Sequence, residues 1–184
     1  MGTRSANVKL GVTLSGAASN LLVDGNEPNG TAAFNLSNVI SKQLSNGIAA
    51  AQVDRIWQDL GRTLAVGTEV IDLYDFAAQD IGAGVGLDPL GQALALEEIA
   101  LIMINNKSAT GTLLVGGEGS TAAFNALFNG VDTSVLTIPP LGMLLLAVES
   151  KPGYDVEDAA NHLLQLEAVG GTVTYDIIIA GRSA

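Results

Sequence analysis

The feature that most limits what this chain can fold into is its rhythm. Short apolar runs, rich in Leu, Ile and Val, are interrupted roughly every 8–15 residues by Gly, Asn, Asp or Ser. Helices need longer uninterrupted periodic stretches, whereas short strands joined by turns need just this spacing. The pattern predicts a mainly β protein, an antiparallel β-sandwich or jelly-roll-like fold with one or two short helices. With 184 residues, 48% of them hydrophobic and 15% charged, there is enough apolar chain for one sizeable core. Aromatics are only 4% and cysteine is absent, so aliphatic side chains must build that core and no disulfide can staple it.

Nine strands are expected: Val8 to Ser15, Thr31 to Ile40, Thr68 to Phe76, Glu98 to Asn105, Thr112 to Gly116, Thr133 to Ile138, Met143 to Glu149, Leu163 to Val169 and Val173 to Ala180. The run IALIMI is apolar on both alternating faces and reads as an interior strand. Leu14 to Thr31 and Phe76 to Ala93 read as long loops. Gly170-Gly171 suits a two-residue hairpin turn, which would set Leu166 opposite Tyr175, Leu164 opposite Ile177 and Ala168 opposite Val173. A helix from Val156 to Val169, capped by Asp155, is the competing arrangement. Between Ala49 and Leu64, the residues Val53, Ile56, Trp57, Leu60 and Leu64 follow helical spacing, and a bulged strand is the rival. Ser120 to Phe128 suits a short helix stopped at Asn129-Gly130. The organisation expected is an N-terminal segment, 1–48, and a body, 49–184.

Eight basic and nineteen acidic residues give a net charge of −11, which argues against nucleic acid as a partner because phosphate affinity rests on Lys and Arg. The apolar stretches Ile99 to Ile104 and Leu136 to Val148 are too short to span a bilayer, and the start MGTRSANVKL lacks the apolar core of a secretory signal. No membrane partner is expected. The charge is uneven: residues 1–62 carry +1 and residues 63–184 carry −12. That asymmetry makes the N-terminal third a candidate docking surface, with Arg4, Lys9, Lys42, Arg55, Arg62 and Trp57 as its contact residues on charge and exposure grounds.

Catalytic chemistry is thinly represented. The lone histidine, His162, has no nucleophile motif around it and no second His for a metal set, and the hairpin register would face it to Ile179 near a strand end. The glycine clusters GAGVG (Gly82, Gly84, Gly86) and GGEGST (Gly116, Gly117, Gly119) lack a following helix or a phosphate-loop lysine, and Glu118 would repel phosphate. Asp72 with Asp75, Glu97 with Glu98, and Asp155 with Glu157 and Asp158 are close in sequence, but none matches a calcium loop closed by a Glu at its twelfth position. Asn29, Asn35 and Asn106 match the N-glycosylation pattern. No catalytic, cofactor-binding or metal residue is assigned, and no enzyme activity is expected.

Several stretches share an order: VDRIWQDLGRTLAVGTEVIDLYDF, DPLGQALALEEIALIMINNKS, LLVGG, and the ending GYDVEDAANHLLQLEAVGGTVTYDIIIAGRSA. Together they resemble a family of small structural proteins of tailed bacteriophages. The family pattern of W/Y-x-D-x-R-T-L, D-x-L/F-G-x-A-L, L-L-V/I-G-G, a Pro-rich approach, G-Y-x-V and T-Y-D-I-x-x-x-G falls here at Trp57 to Leu64, Asp88 to Leu94, Leu113 to Gly117, Ile138 to Gly142, Gly153 to Val156 and Thr174 to Gly181. The match spans roughly residues 53–184. This chain departs by inserting Leu60-Gly61 before Arg62 and by having Pro-Pro-Leu-Gly in place of Pro-Gly-Gly.

The resemblance implies a β-sandwich virion component, made in the host bacterial cytoplasm and carried on the capsid exterior as a decoration or cement protein. Its implied partners are the major capsid protein and itself, as a homo-trimer or homo-dimer. It implies no catalytic residues and no cofactor. The alternatives are a tail-tip or head-fibre base component and a carbohydrate-binding module, the latter resting on a flat contact at Trp57 or Tyr154.

Overall fold

The computed structural model describes residues 8–20, 30–76, 86–87 and 93–183, with side chains for Val8, Lys9 and the described positions from 43 onward. The chain divides into two compact units, Lys9–Gln43 and a larger one that contains Leu44–Ala184. In the first, β1 (Val8–Asn20) lies beside β2 (Gly30–Asn46) in one sheet. Both strands extend into the stretch expected as a loop, whose residues 21–29 lie outside the described residues.

The larger unit begins where Ser45 and Asn46 pair in parallel with β3 (Gln52–Val53). It continues through β4 (Arg55–Leu64), β5 (Gly67–Asp72), β6 (Glu98–Asn106), β7 (Thr112–Gly116), β8 (Val135–Ile138), β9 (Met143–Ala147), β10 (Tyr154–Asp155), β11 (Leu163–Val169) and β12 (Val173–Arg182). These nine strands, β4 to β12, make two antiparallel sheets. One has the order β10-β6-β12-β4, with β9 beside β10 along the same edge of β6. The other has the order β5-β11-β7-β8. Every strand expected from the sequence is present, and the protein is mainly β.

One apolar cluster draws on both sheets. Trp57, Ile102, Ile104, Tyr175, Ile177 and Ile179 enter it from the first sheet, and Ile71, Leu113, Val115, Leu164 and Leu166 from the second. Each of these is fully buried. At about 1.5–3 kcal/mol for each large apolar side chain removed from water, this shared cluster is the main force holding the unit together. The Trp57 and Phe76 rings meet at 5.3 Å with a 46° tilt, within the range favoured by aromatic quadrupoles.

Two expectations fail here, each for a local reason. The C-terminal strands form where expected but do not pair as a hairpin. β11 bonds to β5 and β7, while β12 bonds to β4 and β6. Alternation decides which side chains turn inward, and it is the same whether two strands lie side by side or face each other across a core. Gly170, at φ +78°, lets the chain cross from one sheet to the other. His162 accordingly does not face Ile179, whose neighbours are Trp57 and Ile102.

Nor does the expected short helix form. Among the described residues there is only a 3-10 turn, Ala126–Phe128, in the Ser120 to Phe128 segment. The Phe124 amide donates to the Leu163 carbonyl (2.8 Å), and the Ala122 carbonyl accepts from the amides of His162 (2.9 Å) and Leu163 (2.8 Å). Backbone groups that a helix would pair internally are thus committed to the start of β11. Asn129, in the left-handed region at φ 55°, and Gly130 do end the turn as the sequence suggests.

The ambiguous stretch before Leu64 is a bulged strand. Opposite β12, Arg62 pairs with Tyr175 and Asp59 with Ile177, so Leu60 and Gly61 together face the single residue Asp176. Counting two residues as one reverses the pleat. Trp57 and Leu64 are seven apart, an odd interval that would put them on opposite faces of a regular strand, yet both are buried. Seven residues is also two helical turns, which is why the spacing looks helical. We expect Trp57→Ala to cost about 3–5 kcal/mol in urea denaturation, since it removes the largest buried side chain of this cluster.

Candidate functional site

Of the six candidate docking residues, the structure describes the side chains of Lys9, Arg55, Trp57 and Arg62. Trp57 is wholly buried, so it is excluded as a capsid contact and as a flat platform for a sugar. Arg55 pairs with Asp54 at 2.7 Å. Arg62 pairs with Asp59 at 2.7 Å and with Glu69 at 2.8 Å. Lys9 is exposed on β1, Lys42 lies on β2, and Arg4 falls outside the described residues.

The residues carrying the sequence motifs are joined to one another instead. Tyr175, fully buried on β12, donates its hydroxyl to Glu69, which also accepts from the Arg62 Nε at 2.9 Å. Burial and the bond to Glu69 both hold the Tyr175 hydroxyl protonated and push its pKa well above the ordinary value. Burial works against the Arg62 charge, but Glu69 and Asp59 outweigh it and raise its pKa. The next residue, Asp176, accepts the Gly61 amide at 2.7 Å and pairs with Lys107 at 3.2 Å. Desolvation opposes its charge, yet these two donors leave its pKa below the usual carboxylate value. Leu60-Gly61, the insertion relative to the family pattern, is thus the bulge that Asp176 pins. Gly61 supports it with a φ of +74°.

A second polar cluster is not evident in the sequence. Arg182 at the end of β12 is 1% exposed and bonds Glu98 on β6 through Nε and Nη2, both at 2.7 Å. Its other donors reach the carbonyls of Gln52 and Ser150, each at 3.0 Å. Glu98 also accepts the Gly153 amide at 3.0 Å. Burial disfavours the Glu98 charge, but the Gly153 amide and Arg182 together lower its pKa. The approach is tight. A Cβ on Gly153 would lie 2.5 Å from the Ile99 carbonyl oxygen, and one on Gly181 would lie 2.2 Å from that of Glu98. The glycines of the G-Y-x-V and T-Y-D-I-x-x-x-G motifs are therefore fixed by this cluster. Its one sequence signal is a cation closing the apolar run IIIAGR.

Asn106, one of the glycosylation matches, is fully buried. Its amide donates to the carbonyls of Gly111 (2.9 Å), Ile138 (3.2 Å) and Pro139 (3.1 Å), and its oxygen accepts the Ser108 amide. It is closed to glycan transfer. In the GGEGST loop, Gly116 and Gly117 have φ of +99° and +83°, and a Cβ on Gly116 would strike the Phe128 ring at 2.5 Å. Glu118 accepts the Ser120 amide at 2.8 Å, which makes the loop a self-capped turn.

Some of the carboxylates do come together. Glu97, Glu98, Asp155, Glu157 and Asp158 line an open cleft of about 370 Å³ with Tyr74 and Val156. Glu98 is held by Arg182, and among the described residues no three His, Asp or Glu side chains converge as a metal set. Asp72 lies elsewhere: its Oδ1 accepts the Tyr74 amide and meets His162 Nδ1 at 3.0 Å, tying the end of β5 to the start of β11. Among the described residues, no helix is long and apolar enough to cross a membrane.

A scan against protein-family models finds no match for this chain, and a search of curated proteins finds none either.

Removing one member of the Arg182–Glu98 pair strands a buried charge. Glu98→Gln should cost about 3–5 kcal/mol at neutral pH in chemical denaturation. Because the folded-state pKa of Glu98 is depressed, its contribution is present above its ordinary value of 4.5 and is lost as pH falls through the folded value. The gap between wild type and Glu98→Gln should therefore shrink in melts below about pH 4.5.

Proposed function

We propose that this chain is a capsid decoration protein of a tailed bacteriophage, an antiparallel β-sandwich that binds the outer capsid surface and stabilises it without catalysing a reaction. The observation that carries the reading is where the resemblance residues sit. Trp57, Arg62, Gly153, Tyr175, Asp176 and Gly181 are joined by burial, by hydrogen bonds or by close backbone approach into the framework of the larger unit. Residues that build the fold make the resemblance one of architecture, which supports a passive building block. A cement protein needs only such a block, since it works by burying area between capsid subunits and by repeating weak contacts over a symmetric shell.

Charge refines which residues dock. Each of the five cations from residue 44 onward has a carboxylate partner: Arg55 with Asp54, Arg62 with Asp59 and Glu69, Lys107 with Asp176, and Lys151 and Arg182 with Glu98. Trp57 leaves the docking set because it is buried. Arg4, Lys9 and Lys42 remain as the cations that lead onto the capsid.

Denaturing gels of intact particles should show hundreds of copies; a handful would place the protein at the tail and end the decoration reading. Particles stripped of it should lose resistance to heat and low salt, and adding it back should restore that resistance. Reversing Arg4, Lys9 and Lys42 to Glu should weaken rebinding at least about ten-fold at low salt and flatten its salt dependence.

A further inference from the structure

The outward face of the sheet built from β4, β12, β6 and β9 is unlike the rest of this acidic chain. Pleating sends Trp57, Ile177, Ile179, Ile102 and Ile104 into the core, so the residues between them point away from it. Register then sets Gln58, Ile178, Met103 and Leu145 in one row across all four strands. The next row runs from Asp176 through Asn105 to Met143, with the bulge residue Leu60 at its end. Leu60 is 60% exposed and Met143 59%, and Leu141, which precedes Met143, is 73% exposed. Register places one acidic side chain on these rows, Asp176, and Lys107 neutralises it at 3.2 Å.

We propose that this face is where a second copy of the chain docks, face to face about a two-fold axis. The argument is electrostatic first. Two chains of net charge −11 repel, and a face whose named rows carry one matched pair of charges keeps that repulsion lowest on approach. An acidic or basic partner would gain nothing from such a face, whereas a second copy can bury its Leu60, Leu141 and Met143 against the same side chains across a two-fold axis. Lys107 and Asp176 stay paired within each copy, so these rows present no net charge to the partner.

Area comes second. Four strands spaced about 4.8 Å apart, with about 20 Å of open length, give a footprint of about 400 Å² per copy. The resulting total of about 800 Å² is below the roughly 1,200 Å² of standard specific interfaces, so the dimer is weak and transient. Such a face also sets it apart from ion-paired interfaces: added salt screens the net repulsion and tightens the dimer.

This inference stands without the virion reading, since it concerns the purified chain alone. Sedimentation of the 184-residue chain over a micromolar concentration series should show a monomer–dimer equilibrium that strengthens from low to physiological salt. Met143→Glu, at an exposed position that leaves the core untouched, should weaken it at least about ten-fold. Val70→Glu, on the outward side of β5 in the other sheet, should leave it unchanged, with circular dichroism checking that both variants fold. A chain that stays monomeric throughout overturns the proposal. So does a dimer broken by Val70→Glu and indifferent to Met143→Glu, or a face whose only measured occupant is the capsid. A dimer that behaves as described, on a protein absent from particles, would uphold this inference while ending the decoration reading.

Discussion

A guanidinium that has lost its water must find other partners for its donors, and in this protein four stretches of chain meet to supply them. Arg182 draws in Glu98 from the start of β6, the Gln52 carbonyl from β3 and the Ser150 carbonyl from the loop before β10, while itself closing β12. Glu98 extends the set to Gly153. A hydrophobic pair of similar volume would tolerate many relative placements of these segments. A charged pair with each partner specified tolerates few, so the cluster selects one arrangement even where its net contribution to stability is modest. Gly153 and Gly181 follow from it, because the strands approach too closely there for any side chain.

The positions of the strands were legible in the sequence because turn residues and apolar runs are local signals. All nine expected strands are present, and the burial of Leu164, Leu166, Ala168, Val173, Tyr175 and Ile177 follows the alternation read from the sequence. What alternation cannot encode is the neighbour. Both β11 and β12 need one covered face, and lying in separate sheets that share one core satisfies that need as well as pairing does. The bulge at Leu60-Gly61 hid β4 in a different way, by shifting the pleat so that its inward residues took on helical spacing.

The candidate site was less legible, and Trp57 shows why. A lone tryptophan beside arginines and aspartates reads as an exposed contact residue, but Trp57 is buried and its charged neighbours pair among themselves. Arg62 pairs with Asp59 and with Glu69. Exposure is a property of three-dimensional neighbours, and one strand does not report it. The Glu98–Arg182 pair was hidden for the same reason, being 84 residues apart in sequence.

The separation of β11 from β12 also bears on how the chain comes off the ribosome. β12 lies between β4 and β6, in the middle of its sheet, although it is the latest strand in chain order. Until it is made, β4 and β6 have a gap where their common neighbour belongs, and the aliphatic interior stays open to water. Native pairings here join distant parts of the chain, the kind of topology that closes slowly. The larger unit therefore closes only once β12 is in place, and until then its unpaired strand edges are open to association.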